Sequence, residues 1–300
     1  MARHVTVASV SAMEAHQHSR DALLDHASHM IWRAKQFGAD IVSFPESYAH
    51  LATDAPRPDR AEPLSGPTLA RVGEEARQHQ LHVIMSMYTL EDGHAYNSAV
   101  LVAPSGEVAG VYHKMFPTIG EIEDGLSPGV DAPVFQTSFG RVAMAICFDL
   151  NFPEIMRGLG DAGAEVVFFS SAYRGGLQLR AWAWELGCYM VSAIRGELGQ
   201  IVDMSGEILA ESTYEGLIAK RINLDRRLLH MDANWEKMDE MLRKYGPGVS
   251  FQYFTREGCY TIASERGDLT VDDLIREFDL EERTDYFNRS REVRRKALGL

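Results

Sequence analysis

Strand-length apolar runs alternate with longer helical stretches along most of this chain, and that order restricts its fold more than any other feature. The run "HVTVASV" (His4 to Val10) precedes a helical stretch from about Arg20 to Phe37, which stops at Gly38. "ADIVSFPE" then reads as a buried strand, a second helix covers about Pro67 to Gln80, and "LHVIMSMY" supplies the next strand. "AYNSAVLVA" and "GEVAGVYHK" flank the turn signal "PSG" and read as a hairpin. The loop "MFPTIGEIEDGLSPG" follows, then a short strand near Val134 and the apolar run ending at Cys147. Helices near Pro153 to Ala162 and Leu177 to Leu186 each precede a strand, "AEVVFFSS" and "CYMVSAI". A second hairpin, "GQIVDMSGEILAES", turns at Ser205-Gly206, and "GLIAKRINL" closes the series.

This order predicts an α/β protein with a mixed sheet in two halves, each covered by helices on one face. Packing the halves sheet to sheet would bury the apolar strand faces. From about Asp225 the character changes. "DRRLLHMDANWEKMDEMLRKYG" has the pattern of an amphipathic helix, and the stretch from Ser264 to Leu298 is dense in charge. The expected division is a domain over residues 1–224 and a helical C-terminal extension over 225–300. The extension reads either as a solvated tail or as an arm that holds a partner subunit.

A net charge of -13 offers no attraction to a nucleic-acid backbone or an anionic membrane surface. No uninterrupted apolar run approaches the roughly 18 residues of a membrane span. The N-terminus has too short and too interrupted an apolar run for a signal peptide. Cys147, Cys188 and Cys259 are odd in number and form no CxxC pair, which argues against a disulfide framework or a cysteine zinc site. A reducing, cytoplasmic setting is expected. "HQH" at His16 to His18, with His26 and His29, reads as decoration of a solvated helix rather than a metal site. No cofactor or metal is expected.

Three strand ends carry reactive groups. Glu46 follows Pro45 after "IVSF", Lys114 closes "VAGVYHK", and Cys147 closes "VAMAI". Open α/β sheets hold ligands just beyond their strand ends. A lone cysteine is usually a small inert hydrophobe. A carboxylate, an amine and a thiol together form a coherent set, because the thiol needs a base or a positive neighbour to become nucleophilic. Glu46 would take its proton and Lys114 would stabilise the anion that develops.

These segments resemble the nitrilase superfamily of carbon–nitrogen hydrolases. "FPESY", "NSAVLVAPSGEVAGVYHK", "SPG" and "CFDLNFPEIMR" carry the likeness, with "SSAY" and "VDMSGEILAES", in the family's order over roughly residues 4 to 222. The chain departs from the family at His113, where arginine is common, and at "WAWEL", which keeps Glu185 but has Trp182 and Leu186. The resemblance implies a four-layer αββα sandwich and a triad of Glu46, Lys114 and Cys147. It also implies a second glutamate in the loop after the lysine. Glu121 and Glu123 compete for that place, and the spacing of seven residues from Lys114 favours Glu121.

The implied reaction is attack by Cys147 on a small amide or N-carbamoyl compound, with hydrolysis of a thioester. Lys114 and the backbone N–H of Phe148 would hold the oxyanion. Phe148 and Asp149 after the cysteine resemble the amidase and carbamoylase branches; true nitrilases tend to have tryptophan and glutamate there. Arg174 would pair with a substrate carboxylate, and Tyr48 and Tyr173, with Phe116, Phe148 and Trp182, would shape an apolar pocket. Nitrile hydrolysis and acyl transfer are the alternatives on the same triad, and a binding protein that has kept the fold is the alternative outside catalysis. The family habit also implies a homodimer or higher homo-oligomer.

Overall fold

The computed structural model describes residues 2–11, 19–52, 54–214, 216–232, 234–252 and 254–300. The expectation for His16 to His18 lies outside these residues. The chain forms two compact units, Val5–Ile222 and a second made of Asn223–Leu300 with the N-terminal residues up to His4.

In the first unit, β1 (His4–Val10), α1 (Arg20–Gln36), β2 (Ile41–Ser43), α2 (Pro67–His79), β3 (His82–Glu91), β4 (His94–Val102) and β5 (Val108–His113) come first. After them run α3 (Ile119–Glu123), β6 (Val134–Gln136), β7 (Arg141–Ile146), α4 (Pro153–Asp161), β8 (Val166–Ser171), α5 (Gly176–Leu186) and β9 (Tyr189–Ile194). β10 (Gln200–Val202), β11 (Ile208–Glu211) and β12 (Leu217–Asn223) complete it. The strands form two six-stranded sheets, in the orders β12-β1-β2-β3-β4-β5 and β11-β10-β9-β8-β7-β6. Each has a parallel centre, β1-β2-β3 in one and β7-β8-β9 in the other, and antiparallel hairpins beside it.

Side-chain alternation along each strand explains the layering. On the first sheet Ala8, Val10, Val42, Phe44, Val83 and Met85 face α1 and α2, which supply Leu23, Ile31, Leu69 and Val72. On the second, Ala143, Ala145, Val167, Phe169 and Met190 meet Ile155 and Leu159 of α4 and Leu179 and Ala183 of α5. The intervening strand residues Ile41, Ile84, Val142, Met144 and Phe168 are also buried, between the sheets. Serines sit among them and let the sheets approach: Ser9 Oγ donates to Ser192 O at 2.6 Å and Ser170 Oγ to Phe44 O at 2.8 Å. The architecture is the αββα sandwich. Each fully buried Phe, Leu or Ile contributes about 1.5–3 kcal/mol, and cutting a core ring such as Phe169 to alanine would cost about 3–5 kcal/mol.

Local signals set the helix ends. Ser19 Oγ accepts from Ala22 N–H at the start of α1, proline opens α2 and α4, and left-handed Gly187 ends α5. His26 is not a solvated ornament, because its ring meets the Tyr48 hydroxyl beneath α1. His29 is exposed and stacks on Trp32.

The second unit corrects the expectation of a helical extension. "RRLLH" is a strand, β13 (Arg226–His230); the helix expected around it is confined to α6 (Met238–Tyr245). With β14 (Val249–Gln252) and β15 (Cys259–Ser264) it forms an antiparallel sheet in the order β13-β15-β14. Leu229, Tyr260 and Ile262 of this sheet pack with Met241 of α6 and with Val271 and Leu274 of α7 (Val271–Glu277). The unit therefore has its own core. α8 (Arg283–Ala297) ends it, exposed from Phe287 onward. Among the described residues no helix is long and apolar enough to cross a membrane.

Candidate active site

The parallel strands end at one cleft of about 710 Å³, lined among others by Glu46, Lys114, Glu121 and Cys147. Glu46 leaves β2 through Phe44 and Pro45. Lys114 follows β5, where its N–H donates to Asn97 O at 2.8 Å and its carbonyl accepts from Gly129 N–H at 2.9 Å. The "SPG" turn needs that glycine: a Cβ there would lie 2.3 Å from the His113 carbonyl oxygen. Cys147 follows β7 in a left-handed conformation with φ 47°, and so turns sharply off the strand. For a residue with a Cβ that geometry costs on the order of 1–3 kcal/mol and persists only where neighbours enforce it.

The neighbour responsible is Asp149. Its buried carboxylate accepts from Ile146 N–H at 2.9 Å, Phe116 N–H at 2.9 Å and the Tyr112 hydroxyl at 2.7 Å. One side chain thereby ties the turn to its own strand, to the loop after Lys114 and to β5. Burial pushes the Asp149 carboxyl up to about 6 against these donors.

Lys114 lies between two carboxylates. Its Nζ donates to Glu46 Oε1 and to Glu121 Oε2, each at 2.8 Å, while all three side chains are nearly buried. Asn97 Nδ2 bridges the same pair, 2.9 Å from Glu46 Oε1 and 2.8 Å from Glu121 Oε1. Burial opposes the Lys114 charge, but the two glutamates outweigh it and hold the ammonium well above the usual lysine range. Burial likewise works against Glu121, yet Lys114, the Thr118 N–H and Asn97 keep its carboxyl below the ordinary value.

Glu121, not Glu123, is the glutamate brought to Lys114; Glu123 is exposed. The choice is local. Thr118 caps α3 with Oγ1 accepting from Glu121 N–H at 3.3 Å, and Glu121 Oε2 accepts from Thr118 N–H at 2.7 Å. The sequence "TIGE" is a capping box, and it points residue 121 back toward the lysine. That signal distinguishes the two glutamates more sharply than spacing does.

The Cys147 thiol is partly exposed. Burial and then the Glu46 charge push it up to about 11, while Lys114, the Ala172 N–H and the Ser171 hydroxyl pull the other way. Near neutrality the sulfur is therefore a thiol and needs a base at the moment of attack. Glu46 Oε2 accepts from Ala172 N–H at 3.1 Å and so is turned toward the second sheet, on which Cys147 lies.

The expectations of substrate contact at Tyr48 and Arg174 are corrected. Tyr48 is fully buried in the core under α1, because left-handed Ser47 (φ 45°) turns the chain inward after Glu46. The Tyr173 hydroxyl donates to the Cys147 carbonyl at 3.1 Å and braces the nucleophile's backbone. Arg174 is exposed and does not line the cleft. Phe116 stacks on Phe152 at 3.7 Å between ring centres, Phe148 sets its edge against Phe152, and the Trp182 indole donates to Leu150 O at 2.8 Å. These rings support the turn after Cys147; the cleft wall itself is polar. It carries Arg57, paired with Asp124, together with Arg60, Arg195, Asp54 and His50. His50 is held neutral, its value pushed down to about 4 by burial and by the charges of Arg20 and Arg60. The arginines of this wall and Asn97 were not singled out in the sequence. Asn97 has a signal there, since strand alternation puts it on the same face as Ala95 and Ala99, with its partner Lys114 immediately after the paired strand.

The sequence model of carbon–nitrogen hydrolases matches residues 6–227. The deaminated glutathione amidase of Synechocystis is 28% identical over 235 residues, covering 68% of this chain and 86% of that protein. An (R)-stereoselective amidase of Pseudomonas is 32% identical over 190 residues, 58% of this chain and 69% of its own. Among solved structures, a nitrilase-superfamily member from Saccharomyces cerevisiae superposes with a TM-score of 0.66 at 19% identity, over 74% of this chain and 90% of its own. An amidase from Nesterenkonia superposes with a TM-score of 0.65 at 22% identity, over 81% and 97%. These two share the fold. With the family match spanning the whole sandwich, the chain belongs to the carbon–nitrogen hydrolases.

Proposed function

We propose that this protein hydrolyses the C–N bond of a small linear amide or N-carbamoyl compound through a thioester on Cys147. The observation that carries the reading is Lys114 held at 2.8 Å from both Glu46 and Glu121, in the cleft that also holds the Cys147 thiol. Because the resting sulfur is protonated, Glu46 takes its proton as sulfur attacks the carbonyl carbon. The C–S bond forms while the C=O electron pair moves onto oxygen. The Lys114 ammonium and the Phe148 N–H, at the start of the turn where helical N–H groups lack internal partners, receive that oxyanion. Collapse expels the nitrogen, protonated by Glu46, and leaves the acyl group on sulfur. Water, deprotonated by the same carboxylate, then releases the acid and regenerates the thiol. Glu121 fixes the direction of the lysine.

Arg60 in the cleft wall favours substrates with an anionic end. Its guanidinium is braced by the carbonyl oxygens of Ala55 and His50, and the neighbouring imidazole is neutral. Similarity to amidases supports amide cleavage over nitrile hydrolysis. The test is a panel of neutral amides, carboxylate-bearing amides, N-carbamoyl amino acids and nitriles, read by ammonia release and by the mass of Cys147. Turnover of amides with a transient acyl mass on Cys147 is expected. Turnover of nitriles alone, or amide turnover that survives in Cys147→Ala, would refute the reading.

A further inference from the structure

Arg195 follows β9 on the second sheet, yet its side chain ends at the corner of the first sheet that carries Glu46. Its own N–H donates to Ser171 O at 2.9 Å, which fixes its backbone beside the segment that presents Ala172. From there Nε donates to the Glu46 carbonyl oxygen at 2.9 Å and Nη2 donates to Ser47 Oγ. The same Nη2 lies 4.0 Å from Glu46 Oε2. One guanidinium thus contacts the Glu46 backbone, the next side chain and the neighbourhood of the carboxylate.

The corner needs such a brace. Ser47 is left-handed, with φ 45° and ψ 32°, which a residue with a Cβ adopts only when its surroundings enforce it. Its N–H donates to Ser86 Oγ at 2.9 Å, and Arg195 holds its hydroxyl from the opposite sheet. The two carboxylate oxygens of Glu46 also differ. Oε1 takes Lys114 and Asn97, whereas among the described residues Oε2 takes only the Ala172 N–H directly, with the Arg195 charge beyond it. Oε2 is therefore the oxygen free to accept a proton.

We infer that Arg195 is a positioning residue: it locks the Glu46–Ser47 corner across the two sheets and so keeps Glu46 Oε2 turned toward the second sheet, on which Cys147 lies. This rests on Glu46 acting as the base. Among the described residues, the charged and titratable groups around that carboxylate include Lys114, Glu121, Cys147, Tyr173 and Arg195. Of the two cations, Arg195 is the more exposed, at 32% against 1% for Lys114, so solvent weakens its influence without abolishing it. It is also the cation that can be replaced without stranding buried charge.

The test compares Arg195→Gln and Arg195→Lys with the unaltered chain. It measures kcat and KM on the best amide of the panel, and the rate of Cys147 alkylation by iodoacetamide. Losing the fork in Arg195→Gln is expected to lower kcat and the alkylation rate about 10-fold, with a smaller change in KM. Arg195→Lys keeps the charge but not the planar fork that spans the Glu46 carbonyl and the Ser47 hydroxyl, so its kcat remains reduced. An unchanged kcat in Arg195→Gln, or full activity in Arg195→Lys, overturns the inference. Thermal melts identify a variant that fails to fold, and in that case Arg195→Lys alone decides, since full kcat there refutes the need for the fork. If the unaltered chain turns over no amide, the amidase reading fails by itself. Alkylation then reports on Arg195 separately, with the same slowing expected in Arg195→Gln and its absence refuting the inference.

Discussion

On the first sheet, Glu46, Lys114 and Glu121 are held by one another; on the second, Cys147 is held by its backbone. The first arrangement is three nearly buried charges and an amide with contacts of 2.8–2.9 Å, each side chain fixed because its partner is fixed. The second is a left-handed residue at the end of β7, fastened by Asp149 below and by the Tyr173 hydroxyl above. Electrostatic order is sensitive to the loss of any member, because a buried charge left alone is costly. Backbone order tolerates a change of the cysteine side chain, since none of the contacts that enforce the turn uses sulfur.

Cys147→Ala is the sharpest way to separate the two. It should reduce turnover by about 10⁴-fold or more and leave the melting temperature nearly unchanged, as activity assays and calorimetry on one preparation would record. A large fall in stability would show that the sulfur helps to hold the turn. Lys114→Met should do the opposite as well as inactivate. With Glu46 and Glu121 stranded, stability at neutral pH should drop by about 3–5 kcal/mol, measured by urea unfolding. The sign with pH follows from Glu121, whose carboxyl is held below its ordinary value. Its stabilising share is present above that ordinary value and lost as pH falls through the depressed one, so the gap between Lys114→Met and the parent should narrow in acid.

Asp149→Ala tests the second side. Two N–H groups and a hydroxyl would lose their acceptor, at a cost of about 2–4 kcal/mol, and the Cys147 turn would relax. The expected signature is a fall in kcat larger than any change in KM. The smallest effect is one of pH alone. With the thiol pushed up to about 11, alkylation of Cys147 in the unaltered protein should still be climbing at about pH 9, and Glu46→Gln, which removes the charge that helps to raise it, should shift that climb to lower pH. A plateau near neutrality in both would mean that Lys114 sustains a thiolate at rest.

The contrast also explains what could be read from the sequence. Glu46, Lys114 and Cys147 stand directly after apolar runs, and buried strands advertise their ends; it was the family resemblance that joined the three, and they do line one cleft. Tyr48 was misread because its direction depends on the left-handed Ser47, a backbone state that the letters around it do not announce. Arg195 was missed because its partners are 148 and 149 positions away in the chain. β13 was misread as part of a helix. Its apolar spacing suits either form, and it is a strand because Arg226 to His230 pair with Ala263 to Cys259 of β15. Tertiary pairing overrode the local pattern there, whereas in the sandwich the two agreed.

The capping box at Thr118 joins two tasks in one side chain. Glu121 closes the open end of a five-residue helix and also anchors the lysine ammonium. Fraying of that single turn and loosening of the ammonium are consequently the same event. Warming should thus silence the enzyme through a local opening, while the sheets beneath remain intact and ready to recover on cooling.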